Sequence, residues 1–244
     1  MENKIYNPLE GDIPELNFSL HDGADELVSI IVVHNDKPEY LNICLQSIAV
    51  ASINNNYELI VVDNASGKES QDFLDDIEQD GVKVIRNEKN LFWSAAANKG
   101  AAAVSKNSKY LIFMHHDVVI LSPGWIDLFV NVAESHKAGM VSLEFGHYYL
   151  QNQKVDFLQE WLISFSKSAW LELGGWPEEL PQIGHSFILT LKAQTMGLKP
   201  QVMKNPVAHH YHVFNLDVNE YEREVEKAQI TIPKLVRQIQ TVAV

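Results

Sequence analysis

The sequence predicts an α/β fold with a doubly wound, mostly parallel sheet and helices on both of its faces. Four largely apolar runs, at positions 27–33, 57–62, 82–85 and 109–114, predict strands, and the first of them is a β-branched run that is apolar on both faces. Such runs are typical of strands that are buried on both faces of a parallel sheet. Segments with helical spacing lie between them, and this alternation indicates a parallel α/β sheet.

The helices between these strands are predicted from apolar spacing and from signals at their starts. Residues 38–51 begin with Pro38, which suits the first turn of a helix. One face of that helix carries Leu41, Cys44, Leu45 and Ile48. Residues 70–79 form a second helix with an acidic outer face, and residues 94–105 form an Ala-rich third helix.

The second half of the chain is less regular, so its elements are predicted one at a time. We expect helices at residues 125–136, 167–173, 185–196 and 219–230, and strands at residues 139–145, 161–165 and 202–207. Pro233 is expected to break or restart the last helix, because a proline inside a helix removes one hydrogen bond. Residues 1–26 contain scattered Pro and Gly and are predicted to be an irregular arm.

Composition argues against several classes of protein. The 244 residues include 32 acidic and 19 basic side chains, for a formal net charge of −13, without a Lys/Arg cluster. Binding to nucleic-acid phosphates requires a basic stripe, so a nucleic-acid partner is not expected. Cys44 is the single cysteine, which excludes an intrachain disulfide and a cysteine-based zinc site.

The chain lacks the signals of export and membrane insertion. Its first residues show no basic start followed by an apolar run, and no apolar stretch approaches the roughly 20 residues of a transmembrane segment. The sequence therefore predicts a soluble, cytoplasmic protein. It leaves the oligomeric state open, and a homo-oligomer is among the alternatives.

Polar residues follow each of the first four predicted strands. They are His34, Asn35, Asp36, Asp63, Asn64, Asn87, Asn90, His115, His116 and Asp117. In doubly wound sheets, ligands bind beyond the carboxyl ends of the strands, where all these side chains would converge. The alternative is that each is an ordinary loop residue.

Six motifs in order resemble those of the family 2 glycosyltransferases. The motifs lie at residues 28–36, 58–66, 87–100, 110–117, 173–179 and 196–199, and the resemblance spans residues 27–212. It is closest to rhamnosyltransferase-like members. The resemblance implies the GT-A fold, with a nucleotide-binding half at residues 27–120 and an acceptor half at residues 121–216. The charged amphipathic pattern after it predicts a C-terminal helical tail at residues 217–244.

The resemblance also implies a site for a UDP- or dTDP-linked sugar. In the family, the Asp that ends the second strand reads the uracil or thymine edge, and that position is Asp63 here. The nucleotide-binding residues implied by the matching motifs are Val33, Asn35, Asp63, Asn90, Asn98 and His116.

A divalent metal is implied at the end of the fourth strand. The family has Asp-x-Asp there, whereas this chain has His115, His116 and Asp117. Carboxylate oxygen suits Mg²⁺ or Mn²⁺, and imidazole favours Mn²⁺ over Mg²⁺. Further ligands are sought among His209, His210 and His212, of which the last two would share a face of an extended segment. The alternative is that His115 and His116 merely cap the strand.

The catalytic base departs from the family pattern. The family's acid pair, at the start of the helix after the Gly-Gly motif, falls on Gly184 and His185. His185 is the candidate base, because an imidazole titrates near neutral pH. The substitute bases are Glu178, Glu179 and Asp156. On the acceptor side, the candidates are Glu179 and Trp176. Sugar rings stack on indoles, which favours Trp176, and the alternative is that this tryptophan is a core residue.

Three functions are compatible with these motifs. The first is an inverting, metal-dependent transfer of sugar from a UDP- or dTDP-sugar to a glycan, lipid-linked sugar or other polar acceptor, in polysaccharide biosynthesis. The second is a GT-A-fold protein that binds a nucleotide-sugar or a partner without catalysis, which the altered base position favours. The third, a nucleotidyltransferase, is disfavoured because no Gly-rich basic loop follows the first strand.

Overall fold

A seven-stranded sheet forms the centre of the protein, in the order β10-β6-β9-β4-β1-β2-β3. The computed structural model describes residues 27–150, 153–213 and 218–242, so the predicted arm at residues 1–26 lies outside the described residues. The strands are β1 (Val28–His34), β2 (Tyr57–Asp63), β3 (Lys83–Arg86), β4 (Tyr110–His115), β5 (Val118–Ile120), β6 (Met140–Ser142), β7 (Phe145–Leu150), β8 (Gln153–Leu158), β9 (Leu162–Ser166), β10 (Gln201–Val202) and β11 (Ala208–His210).

Helices cover both faces of this sheet. They are α1 (Pro38–Ala51), α2 (Lys68–Gln79), α3 (Phe92–Ala102), α4 (Trp125–His136), α5 (Lys167–Leu173), α6 (His185–Thr195) and α7 (Val218–Val242). Apolar residues of α1, α2 and α4 pack against one face of the strands, and those of α3, α5 and α6 pack against the other. The arrangement confirms the predicted mixed α/β fold with a mostly parallel sheet.

The middle of the sheet brings three strand ends together. Strand β1 is buried along its whole length, as its unbroken apolar run predicts. It pairs in parallel with β2 on one side, where His34 lies opposite Asp63, and with β4 on the other, where Val33 lies opposite His115. The polar residues that follow β1, β2 and β4 therefore share one edge of the sheet.

The second half differs from the prediction in strand direction and in one hairpin. The strand expected at residues 161–165 is β9, and it runs antiparallel to both β4 and β6. Strands β7 and β8 form an antiparallel hairpin that the sequence did not predict. Of the strand expected at residues 202–207, only Val202 lies in a strand, at the end of β10, which pairs with β6. Strand β11, which pairs with β5, begins just after this range at Ala208. An apolar run shows that a segment is buried but not which neighbour it pairs with, so these directions required the structure.

Helix α7 runs without interruption through Pro233, so the predicted break at that residue is wrong. Ala228, Ile232 and Val236 recur every four residues along α7 and are buried against α6 and the β7–β8 hairpin. This tertiary packing holds the helix where the local proline penalty would end it. Within the described ranges, no helix has both the length and the apolar character needed to cross a membrane.

Candidate functional site

A cavity of about 550 Å³ opens at the carboxyl ends of β1, β2 and β4. The sheet order places it where ligands bind in doubly wound folds. The sequence-predicted residues that line it are Val33, Asn35, Asn90, His115, His116, Asp117, His210 and His212. Residues from both halves of the chain thus meet in one cavity.

Three side chains in this cavity form a compact group of metal-ligating atoms. One nitrogen or oxygen atom from each of His115, Asp117 and His210 lies within 4.8 Å of the other two. His210 Nε2 is 3.1 Å from Asp117 Oδ1 and 3.3 Å from His115 Nδ1. The β5–β11 pairing carries His210 to this place by setting it opposite Val118, the residue after Asp117. Among the three predicted histidines, the strand pairing therefore selects His210.

The surroundings of this group favour an ionised Asp117 carboxylate and a neutral His115 imidazole. Burial acts to raise the pKa of Asp117, but the hydrogen bond from His210, the neighbouring His115 and the Val213 amide together hold it well below its usual range. Burial lowers the pKa of His115 from 6.5 to about 4. A carboxylate with neutral imidazoles is the protonation state in which such a group accepts a divalent cation.

Two tryptophans hold the rings of these histidines in place. The Trp93 ring contacts that of His115 edge-on at 4.5 Å, and the Trp161 ring stacks on that of His210 at 5.2 Å. The His212 ring lies 4.1 Å from the His210 ring, although His212 has φ of 57° and so leaves the extended conformation on which its predicted position rested. The exposed His209 packs on Tyr211 and does not line the cavity.

A second pair of histidines lies deeper in the same cavity. The His34 and His116 rings meet edge-on at 5.0 Å, and both line the cavity. The Asn35 amide donates to His116 Nδ1 at 3.4 Å, while His116 Nε2 and both nitrogens of His34 have no hydrogen-bond partner among the described residues. Buried nitrogens without partners are costly unless a ligand or water satisfies them. Of this pair, the family motifs assigned a nucleotide-binding role to His116 but none to His34.

The predicted base-reading residue, Asp63, is not among the residues that line the first cavity, and it is tied into the loop that follows β2. Asp63 is buried, and its carboxylate accepts hydrogen bonds from the Ser66 amide at 3.1 Å and from Gln71 Nε2 at 2.6 Å. Asn64 Nδ2 donates to Asn90 Oδ1 at 2.7 Å. These contacts fix the loops after β2 and β3 beside the cavity.

Most predicted acceptor-side residues line a different cavity of about 900 Å³. Trp176, Glu178, Glu179 and Asn98 all face this second cavity, and Trp176 itself is 2% exposed. Asn98, expected near the nucleotide, receives a hydrogen bond from the Trp176 amide and donates to Glu178. The structure therefore does not bring these residues to the first cavity.

His185 is buried at the first turn of α6, with 1% of its surface exposed. Its ring stacks on Trp93 at 6.3 Å and meets Trp176 edge-on at 5.3 Å, and it lines neither cavity. Burial lowers its pKa, against the opposing effect of Glu160. The imidazole is thus enclosed, and the nearby residue that does line the first cavity is Glu160.

Glu160 is a cavity residue that the sequence analysis missed. It lies in the segment before β9, lines the first cavity and keeps 20% of its side chain exposed. Its Oε1 is 3.6 Å from His185 Nε2, and its Oε2 accepts a hydrogen bond from Ser186 Oγ at 2.7 Å. Burial would raise its pKa, but His185, His115 and the Ser186 bond together lower it. No sequence motif marks this position, so a local signal could not have found it.

Comparisons with known proteins identify the family and the fold. The chain is 30% identical over 118 residues to the uncharacterized protein y4gI of Sinorhizobium fredii, an alignment that covers 47% of this chain but 13% of that protein. Its fold is similar to that of the mannosyltransferase PcManGT from Pyrobaculum calidifontis, solved with GDP-Man and Mn²⁺, with a TM-score of 0.65 and 14% identity over 86% of this chain and 64% of that one.

Two further structures share the fold. TarS 1-349 of S. aureus, solved with UDP-GlcNAc, has a TM-score of 0.59 and 15% identity over 78% of this chain and 59% of that one. GalNAc-T7, solved with UDP, GalNAc and Mn²⁺, has a TM-score of 0.62 and 15% identity over 85% of this chain and 48% of that one. The chain thus spans less than two thirds of each relative, and the shared architecture is the GT-A fold. Residues 29–184 match the sequence profile of glycosyl transferase family 2, and the chain belongs to that family.

Proposed function

We propose that the protein is a metal-dependent glycosyltransferase that moves a sugar from a UDP- or dTDP-sugar to a polar acceptor. The observation that carries this proposal is the group of His115, Asp117 and His210 in a cavity at the carboxyl edge of the sheet. Family membership and the nucleotide-sugar complexes of the structural relatives support it. The whole-chain charge of −13 does not oppose it, because a metal ion neutralises a diphosphate locally.

The ligand group fits a divalent cation. It offers one carboxylate oxygen and two imidazole nitrogens, a set that suits Mn²⁺ better than Mg²⁺. Asp117 is ionised, and His210 Nδ1 is buried without a hydrogen-bond partner among the described residues. A bound cation would neutralise the negative charge that develops on the leaving diphosphate. The relatives solved with Mn²⁺ agree with this choice of metal.

The nucleotide would lie between the metal group and the loops after β1, β2 and β3. Val33, Asn35, Asn90 and His116 line this part of the cavity and supply backbone and side-chain hydrogen-bonding groups. Asp63 is assigned to the uracil or thymine edge by its motif, at the end of β2. A guanine nucleotide is a third option, because PcManGT was solved with GDP-Man.

The finer parts of the proposal rest on the motifs. We assign residues 27–120 to the donor half, residues 121–216 to the acceptor half and residues 217–244 to a helical tail. The acceptor is a glycan, a lipid-linked sugar or another polar molecule, and Trp176 and Glu179 belong to its side of the protein. Inversion at the anomeric carbon, a role in polysaccharide biosynthesis and a rhamnosyltransferase-like subtype follow from the resemblance, and a homo-oligomer is compatible with it.

A second candidate function is nucleotide-sugar binding without catalysis. It is favoured by Gly184 and His185, which stand where the family carries its acid pair. Both functions require a nucleotide site, and they differ in whether a carboxylate can reach the acceptor.

Titration calorimetry with UDP, dTDP and GDP, each with and without Mn²⁺, tests the nucleotide site. We expect UDP or dTDP to bind, with Mn²⁺ tightening the affinity at least tenfold, because the metal group faces the same cavity as the nucleotide residues. Replacing Mn²⁺ by Mg²⁺ should restore less of that affinity. Absence of binding by all three nucleotides at millimolar concentration with Mn²⁺ present would contradict both candidate functions.

A further inference from the structure

The backbone at the expected acid-pair position cannot present a carboxylate. Gly184 has φ of 84°, a conformation that side chains with a Cβ rarely adopt. A Cβ at this position would lie 2.5 Å from Ile232 Cδ1 of α7, closer than packed carbon atoms approach. An acidic residue at position 184 would therefore have a strained backbone and would require the Ile232 side chain of α7 to shift. The next residue, His185, is buried under two tryptophan rings.

Another carboxylate reaches the same place from a different part of the chain. Glu160 precedes β9, and its carboxylate lies against the first turn of α6, where Ser186 donates to one oxygen and His185 faces the other. The Ser186 bond leaves further lone pairs on the Glu160 carboxylate, and Glu160 lines the first cavity. The His115 side chain of the metal group lines that cavity too. Glu160 therefore lies between the start of α6 and the proposed donor site.

We propose that Glu160 is the base that takes the proton from the acceptor, and that His185 is a positioning residue that acts through it. This inference rests on the proposed transferase function. The acceptor O–H bond breaks and its proton passes to a Glu160 oxygen, while the acceptor oxygen bonds to the anomeric carbon. The bond between that carbon and the phosphate oxygen breaks, and its electron pair leaves with the nucleoside diphosphate.

The other carboxylates near the acceptor side are placed less suitably. Asp156 is exposed on β8 and pairs with His147 at 2.7 Å, outside both cavities. Glu178 is hydrogen-bonded to Asn98, and Glu179 lines the second cavity. Glu144 lines the first cavity, but it is exposed and its contact is with the Trp161 indole at 3.2 Å. Glu160 combines access to the first cavity with a hydrogen bond from Ser186 and a 3.6 Å approach of His185 Nε2.

The Glu160→Gln variant tests the base, because it keeps the shape of the side chain and removes its ability to accept a proton. Release of nucleoside diphosphate is measured from UDP-GlcNAc, UDP-glucose and dTDP-rhamnose, with methyl glycosides as acceptors. We expect kcat to fall by about 10² to 10⁴, the usual effect of removing a positioned base. UDP affinity in Mn²⁺ should stay within about threefold of that of the parent, since a base contributes little to ground-state binding. Glu160→Asp should retain part of the lost rate.

Matched variants separate this role from general effects of charge. Glu172→Gln removes an exposed carboxylate on α5, outside both cavities, and should leave kcat unchanged. Glu144→Gln and Asp156→Asn test the rival carboxylates. His185→Asn keeps a polar side chain in the buried position and should lower kcat with little change in KM. A purely structural role of His185 would instead lower the melting temperature and leave kcat of the folded fraction unchanged.

Each contrary result has a distinct meaning. Unchanged kcat in a folded Glu160→Gln variant, or a larger loss in Glu144→Gln, overturns the assignment of the base. A tenfold or greater loss of Mn²⁺ affinity in Glu160→Gln makes Glu160 a metal ligand and also overturns it. A parent protein that binds UDP tightly but turns over no donor overturns this inference while keeping the nucleotide site. A parent that binds no nucleotide refutes the proposed function itself.

Discussion

Asp117 links the two segments of chain that build the metal group. Its carboxylate accepts hydrogen bonds from His210 and from the Val213 amide at 2.7 Å, and its backbone oxygen accepts one from the Tyr211 amide at 3.0 Å. At 4% exposure, the side chain is both a candidate ligand and a structural anchor. The two roles can be separated because an asparagine keeps the size of the side chain and loses the negative charge. Its oxygen can still accept from the Val213 amide, while its NH₂ group can donate to a neutral His210.

Asp117→Asn should therefore weaken metal-dependent binding more than it weakens the fold. We expect Mn²⁺ to lose most of its effect on UDP affinity, measured by calorimetry, because a neutral amide is a poor ligand for a hard cation. Asp117→Ala should in addition lower the free energy of unfolding by about 1–3 kcal/mol, since buried donors lose their partner. Asp156→Asn, on the exposed hairpin, serves as the control. Full Mn²⁺ dependence in a folded Asp117→Asn variant would make Asp117 structural only.

Some side chains of the first cavity could be predicted from the sequence, and others could not. His115, His116 and Asp117 were predicted because they directly follow a buried strand, and strand ends in such a sheet share one edge. His210 could not be chosen over His209 and His212 until the β5–β11 pairing was known. Glu160 was missed because it reaches the cavity through the antiparallel strand β9, whose direction its apolar pattern does not reveal.

At the scale of elements, α3 packs unusually close to the sheet. Gly100 faces β1 and β2, and a Cβ built at this position would meet Ile31 and lie 2.9 Å from Val62 Cγ2. Neither β-branched side chain can move easily, because both are buried in the core between α3 and the strands. The glycine thus sets the distance between α3 and the strands whose ends form the cavity.

Gly100→Ala should destabilise the protein despite the better helix propensity of alanine. Overpacking a core costs about 1–3 kcal/mol, whereas the propensity gain in a helix is about 1 kcal/mol. We therefore expect a net loss of up to about 2 kcal/mol in the free energy of unfolding, measured by urea denaturation. Gly67→Ala is the matched control, because Gly67 has an ordinary φ of −71° and the nearest atom to its added Cβ is 3.5 Å away. A stabilised Gly100→Ala variant would mean that α3 is free to shift.

The elements of the first half of the chain were predicted from the sequence more completely than those of the second half. Strands β1, β2 and β4 were predicted because their apolar runs are buried, and the helices between the strands were predicted from their spaced apolar residues. Strand β3 was predicted from a run of four residues, although it is a partly exposed strand at the edge of the sheet. The β7–β8 hairpin was not, since its side chains alternate between exposed and partly buried positions without a long apolar run. Helix α7 crosses Pro233 because Ile232 and Val236 are buried against other elements, a contact between distant parts of the chain.

At the scale of the whole molecule, burial of several histidines makes stability depend on pH. Burial, followed by repulsion from His116, lowers the pKa of His34 from 6.5 to about 3. Burial lowers the pKa of His115 to about 4, and it also lowers those of His116 and His185. These rings are held neutral in the folded protein at pH values where the unfolded chain protonates them. The burial that keeps these imidazoles neutral therefore lowers the stability of the fold in acid.

The free energy of unfolding should fall as the pH drops below 6.5, and His34→Phe should reduce that dependence. Below pH 6.5 the unfolded chain is protonated at His34, whereas the folded protein stays unprotonated there until about pH 3. The free energy of unfolding therefore decreases as the pH falls from 6.5 to about 3. At pH 5 the difference for one such histidine is roughly 2 kcal/mol, from about 1.4 kcal/mol per pH unit. Urea denaturation at pH 7 and pH 5, with a chelator present to exclude bound metal, measures this change in the free energy of unfolding for the parent and for His34→Phe. The control is His136→Gln, which replaces an exposed histidine of α4. An equal loss of stability in the parent and in His34→Phe would show that His34 becomes protonated in the folded protein and is not enclosed as the structure indicates.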